Sequence, residues 1–140
     1  MQTQINPYLV FNGNCREAMA FYQRCLGGEL TLTKVAESPM ADQWPAAVQQ
    51  DILHASLVKG SLVLLASDMA GPGGSVRGNT ISLALNCSTE EEIETFFGKL
   101  AEGGRVSHPL HQFFDGTIGA LTDQFGLNWV LKSYRTELSD

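Results

Sequence analysis

At 140 residues the chain has the length of one ordinary domain and can bury roughly two-thirds of the surface its unfolded form exposes, enough for a core without disulfide staples. A formal net charge of −6, with only nine Lys and Arg residues scattered along the chain, leaves no basic footprint for gripping phosphates, so nucleic acid is not an expected partner. Cys15, Cys25 and Cys87 are an odd set that matches neither a disulfide framework nor a zinc knuckle, and no apolar run approaches the roughly 20 residues that span a bilayer. With no basic end and long apolar run at the start, the chain reads as cytoplasmic, with no membrane partner.

Ile5 to Phe11 alternates weakly and ends at Asn-Gly-Asn, which predicts a strand closed by a turn. Asn14 with Glu17 three residues on predicts a capping box, and Cys15, Ala18, Met19, Tyr22, Cys25 and Leu26 fall on one side of the helix that follows, with Phe21 at its margin. Gly27-Gly28 stops that helix. Glu29 to Ala36 alternates as a second strand, and residues 37–50, with two prolines and no period, read as a long loop carrying Trp44. Ile52 to Val58 and Ser61 to Ser67 form a predicted hairpin across Lys59-Gly60. Four glycines and a proline over Met69 to Gly78 mark a connector.

The order then repeats. Thr80 to Asn86 alternates, with Ile81, Leu83 and Leu85 on one face against Thr80, Ser82 and Ala84. Ser88 and Thr89 open a helix with Glu90, Glu91, Glu92 and Glu94 near its positive end, and with Ile93, Phe96, Phe97, Leu100 and Ala101 as its apolar stripe. After Gly103-Gly104, strands are predicted at Arg105 to His108, Thr117 to Thr122 and Leu127 to Ser133. The stretch NGNCREAMAFYQRCLGGEL therefore has an echo in NCSTEEEIETFFGKLAEGGRV, offset by 72 residues at Asn-Cys and by 76 at Gly-Gly, as if the second helix were one turn longer. The expected fold class is α+β, a single domain of two β-α-β-β-β modules over residues 5–68 and 79–133, with a linker at 69–78 and eight strands in a cup-shaped mixed sheet.

Two such modules, with the phrases NGNCREAMAFYQRCLGGEL, HASLVKGSLVLLASD and DGTIGALTDQFGLNWVLKS, resemble the vicinal oxygen chelate superfamily of glyoxalases, bleomycin resistance proteins and extradiol dioxygenases, and within it the PhnB-like branch. Proteins of that branch often carry the label 3-demethylubiquinone 3-methyltransferase. Methyl transfer is not expected of this chain, which has neither a G-x-G-x-x-G turn nor an alternating parallel β-α pattern. The resemblance implies a divalent metal held by His, Gln or Glu on the first and last strands of each module. Counted from Tyr22, Gly60 and Gly126, those positions fall on Pro7, Leu64 and Val130, and the fourth falls on Asn79 or Thr80, with alternation favouring Thr80. None is a usual ligand, so no metal and no cofactor are expected.

The candidate ligand-binding residues are then His54, Thr80, Ser82, Phe113, Phe114, Asn128 and Val130. His54 shares a strand face with Ser56 and either faces the cup, where it could bind a ligand or serve as an acid-base group, or is satisfied by neighbouring strands. His108 and His111 are separated by Pro109, which forbids a helix that would pair them, and they read as loop histidines. Phe113 and Phe114 could wall a cavity or form a hairpin corner. Trp129 alternates against Asn128 and Val130 and is expected in the core. The function expected from the resemblance is small-molecule binding in a metal-free apolar or aromatic cup. The alternative is a lyase or isomerase with a non-standard metal site or with His54 in catalysis. The superfamily also implies a homodimer, with cups completed across its interface.

Overall fold

The computed structural model describes residues 3–134. By chain contacts it divides into two compact units, Met1–Val76 and Arg77–Asp140. Polar contacts on either side of Val76 fall within the same two units. Ser75 is tied to Asn12 by two 3.0 Å hydrogen bonds, whereas Arg77 donates to the Phe125 carbonyl at 3.1 Å and the Gly78 carbonyl accepts from Asn128 at 2.8 Å.

In the first unit, β1 (Tyr8–Val10), α1 (Cys15–Leu26), β2 (Glu29–Lys34), β3 (Ile52–Lys59) and β4 (Leu62–Ser67) make a four-stranded sheet in the order β1-β4-β3-β2, with β1 parallel to β4 and the other pairs antiparallel. In the second, β5 (Leu83–Cys87), α2 (Glu90–Ala101), β6 (Arg105–Phe113), β7 (Gly116–Thr122) and β8 (Asn128–Tyr134) repeat that order as β5-β8-β7-β6, again with the first strand parallel to the last. Among the described residues the eight strands thus form two mixed sheets of four.

Each helix covers one face of its own sheet. The predicted stripe of α1 is buried, and Phe21, placed at its margin from sequence, is only 3% exposed. Beneath it lie Leu9, Ala55, Leu57, Leu64 and Ala66, which share a sheet face by register. α2 buries Ile93, Phe97 and Leu100 above Gly119, Leu121, Trp129 and Leu131. Gly119 leaves room for that packing, because a Cβ there would stand 2.8 Å from the Phe97 ring.

Several boundaries differ from the expectation. β1 is three residues long and leaves Ile5 exposed, while β5 begins at Leu83, leaving Thr80, Ile81 and Ser82 outside the strand. Both helices have 12 residues, offset by 75, so the second is not longer; its Asn-Cys pair ends β5 instead of opening the helix. The β3–β4 turn is Gly60-Ser61, with Gly60 (φ +59°) at the first central position that hairpin turns reserve for glycine. Residues 37–50 hold short 3₁₀ turns, Ala41–Gln43 and Ala46–Val48, tied together by the Gln49 side-chain amide, which donates to the carbonyls of Ala41 and Trp44 at 2.9 Å. β6 runs through Pro109 to Phe113, so His108 and His111 lie in a strand. It is an edge strand with register shifts on both sides of His108, which is where a sheet tolerates proline.

The helix starts are anchored differently. Asn14 occupies the cap position of α1, but its side chain makes no capping bond. Asp68, one residue beyond β4 and 7% exposed, accepts instead from the backbone N–H groups of Gly13, Cys15 and Ile52, each at 2.9 Å. In α2 Thr89 caps the N–H of Glu92 at 3.0 Å, and Glu92 in turn accepts from the Ser88 N–H at 2.7 Å.

Burial, reinforced by the Asp68 charge, pushes the Cys15 thiol up to about 12; burial and then Glu92 push Cys87 up to about 11. Both thiols hold their protons more tightly folded than unfolded. Their contribution is therefore complete below about pH 9 and is lost as pH rises through the folded values, by up to about 1.4 kcal/mol per pH unit for each thiol. Urea denaturation between about pH 8 and about pH 10 is expected to show this fall, and a Cys15→Ala/Cys87→Ala variant is expected to show a shallower one. Equal slopes would refute the assignment.

Candidate functional site

With one face of each sheet under its helix, the other face is left open. In β8, Trp129, Leu131 and Ser133 point toward α2, being 2%, 0% and 0% exposed, so Asn128, Val130, Lys132 and Tyr134 take the open face. Trp129 is the core residue expected, its indole N–H donating to Asp123 Oδ2 at 2.8 Å. Across the ladder, Val130 stands between Ala84 and Ala120, and Lys132 between Asn86 and Ile118. On β6, His108 pairs with Ala120, His111 with Ile118 and Phe113 with Gly116.

Register thus brings Asn128, Val130 and Phe113 to one face and adds residues not singled out in the sequence: Lys132, Ile118, Ala120 and the two histidines. Asn128 accepts from the Thr122 hydroxyl at 2.9 Å. At the end of the face Phe113 and Phe114 pack with ring centroids 4.8 Å apart. The Lys132 ammonium lies 5.3 Å from the Phe113 ring, 5.9 Å from Phe114 and 4.5 Å from Tyr134, and pairs with Asp115 at 2.5 Å. The Trp129 parity was the signal that could have found Lys132, because it puts every second residue of that strand on one side.

The other candidates fall elsewhere. Thr80 and Ser82 are exposed in the segment before β5. His54 lies on the open face of the first sheet with Ser56 and opposite Thr33, and is exposed. Leu53 beside it is the extra residue of a bulge, since Ile52 pairs with Lys34 and His54 with Thr33.

Of the metal positions counted from sequence, Val130 stays, while the two of the first sheet move by one residue and Thr80 by four. Pro7 precedes β1, and Leu64 is 5% exposed beneath α1; the open face carries Tyr8 and its neighbour Leu65. In the second sheet the matching pair is Ala84 and Val130. The same count from glycine misses in the first sheet and holds in the second because Gly60 sits in a two-residue turn and Gly126 in a five-residue loop, so the face of the following strand is set differently. The corrected positions still lack carboxylates and imidazoles. Among the described residues no three His, Cys, Asp or Glu side chains gather as a metal site, so the residues present do not fit a divalent ion.

A separate cleft of about 400 Å³ opens at the start of α2, lined by Thr89, Glu90, Gln112, Thr117 and Tyr134. Its carboxylate is already engaged: Glu90 accepts from the Thr117 hydroxyl at 2.6 Å and from the Ser133 hydroxyl. Placed from sequence only among the acids near the positive end of the helix, Glu90 ties that helix to the sheet.

Residues 3–132 match the protein-family model described as 3-demethylubiquinone-9 3-methyltransferase. The chain is 32% identical over 139 residues to protein YjdN of Escherichia coli strain K12, covering 91% of this chain and 92% of that protein. Protein PA1353 from Pseudomonas aeruginosa is 41% identical, covers 96% of this chain and 100% of its own, and superposes with a TM-score of 0.82. At 16% identity, a glyoxylase/bleomycin resistance protein/dioxygenase domain from Frankia sp. EAN1pec superposes with a TM-score of 0.66 over 98% of this chain and 95% of that one, which is a likeness of fold. The chain belongs to the PhnB-like family described as 3-demethylubiquinone-9 3-methyltransferase, and it has the glyoxalase/bleomycin resistance fold.

Proposed function

We propose that this protein binds a small apolar or aromatic molecule without a metal, on the open face of its second sheet. The observation that carries the reading is the surface itself: half-exposed Ile118, Ala120 and Val130 form an apolar floor that ends at the Phe113 and Phe114 rings, and among the described residues no metal-donor set accompanies it. Methyl transfer, which the family description names, gains no support from two mixed four-stranded sheets without the phosphate-binding turn of a doubly wound nucleotide fold. Exposed Tyr8, Trp44, Ile81 and Val106 favour self-association, and a homodimer forms part of the proposal.

An uncharged aromatic probe, 2-naphthamide, is expected to perturb the backbone amide signals of Ile118, Ala120 and Val130 in protein dialysed against chelator. Sedimentation of the same sample is expected to give a dimer. Stoichiometric zinc, nickel, manganese or iron in tag-free protein purified without chelator would overturn the metal-free reading, and a monomer at every concentration would remove the dimer.

A further inference from the structure

The second unit is electrically polarised. Its helix carries Glu90, Glu91, Glu92 and Glu94, whereas the four strands β5 to β8 contain Arg105, His108, His111 and Lys132 and not one Asp or Glu. In a chain of net charge −6 this sheet carries two formal positive charges, Arg105 and Lys132, and no negative one. Lys132, His108 and His111 share the open face with the apolar floor.

Lys132 is also held in place. Its side chain is 18% exposed, steadied by the three rings around its ammonium, and it meets the Asp115 carboxylate from the β6–β7 turn. An ammonium has three donors, and Asp115 Oδ1 takes one at 2.5 Å. An internal carboxylate beside aromatic rings shows what chemistry this corner accepts.

We propose that the open face takes a small aromatic carboxylate, whose ring lies on Ile118, Ala120 and Val130 and whose charged end joins or displaces Asp115 on Lys132. This rests on the reading of that face as the ligand site and adds the ligand's charge. Asp115 is then a resident competitor that occupies the ammonium while the face is empty. His111 lies two strands from Lys132, roughly 10 Å across the sheet, and brings no negative charge to oppose the ligand.

The test compares 2-naphthoate with 2-naphthamide on chelator-treated protein. The carboxylate is expected to bind about tenfold more tightly, as one charge-assisted hydrogen bond would give. Lys132→Met, which keeps most of the aliphatic stem, should abolish that preference. Asp115→Asn should strengthen 2-naphthoate binding several-fold and leave 2-naphthamide unchanged, which a merely structural ion pair would not do. Equal affinity for the two probes, or a carboxylate affinity that falls or stays level in Asp115→Asn, overturns the anion assignment and leaves the ligand face standing. Failure of both probes to perturb the face overturns the ligand face as well. The Asp115 variant carries the test even if Lys132→Met does not fold.

Discussion

Asp68→Ala is expected to destabilise the protein by about 3–5 kcal/mol, read as a fall in the urea midpoint with an unchanged slope. One buried carboxylate holds the turn before α1 through Gly13, the first helical residue through Cys15, and the start of β3 through Ile52. Alanine would leave the buried N–H groups of Cys15 and Ile52 and the part-buried one of Gly13 without this acceptor, and three elements without their common tie. Since a domain's whole stability is about 5–15 kcal/mol, the loss is a large share of it. Asp68→Asn, which keeps one acceptor oxygen and places an NH₂ where the other stood, should fall between. A change below about 1 kcal/mol for alanine would show that water replaces the carboxylate at these amides.

Gly116→Ala is expected to cost about 3 kcal/mol or more and to disable the proposed ligand face. Gly116 has φ +153°, and a Cβ built there stands 1.8 Å from the Ser133 carbonyl oxygen, a backbone atom in the adjoining strand. No side chain can yield to make room, so β7 and β8 must separate where Gly116 pairs with Tyr134. The Phe114-Asp115 turn closes on the Phe113–Gly116 pair and would shift away from Lys132. Gly119→Ala is the informative comparison: its closest contacts, at 2.8 Å, are side-chain atoms of Leu110 and Phe97, which can move, and its cost should be smaller. A Gly116 variant with unaltered stability and unaltered 2-naphthoate binding would refute both halves of the expectation.

The duplicated order and the buried faces could be read from the chain because local periodicity encodes them. The α1 stripe and Trp129 against Asn128 and Val130 needed only the spacing of apolar residues. Long-range polar ties had no such signature. Asp68 and Asp123 each adjoin a turn, an ordinary place for aspartate, yet one reaches 53 residues back to Cys15 and the other holds the Trp129 indole. Pro109 read as a break because the sequence does not reveal which strand lies at an edge. Of the candidate face, Asn128, Val130 and Phe113 were legible and Lys132 was not, because its partners Asp115 and Tyr134 are brought to it by folding and leave no periodic signal.

The two halves share a plan but wire one joint in opposite senses. Cys15 and Glu90 are the first residues of helices of equal length, and Asp68 and Ser133 follow Leu64-x-Ala66 and Trp129-x-Leu131 on the covered faces. In the first half the acid belongs to the sheet and reaches the helix; in the second it belongs to the helix and reaches the sheet. Helix and sheet are therefore keyed to each other within each half. Transplanting one helix into the other half would set two acids face to face at one joint and none at the other, so neither helix can stand in for its counterpart.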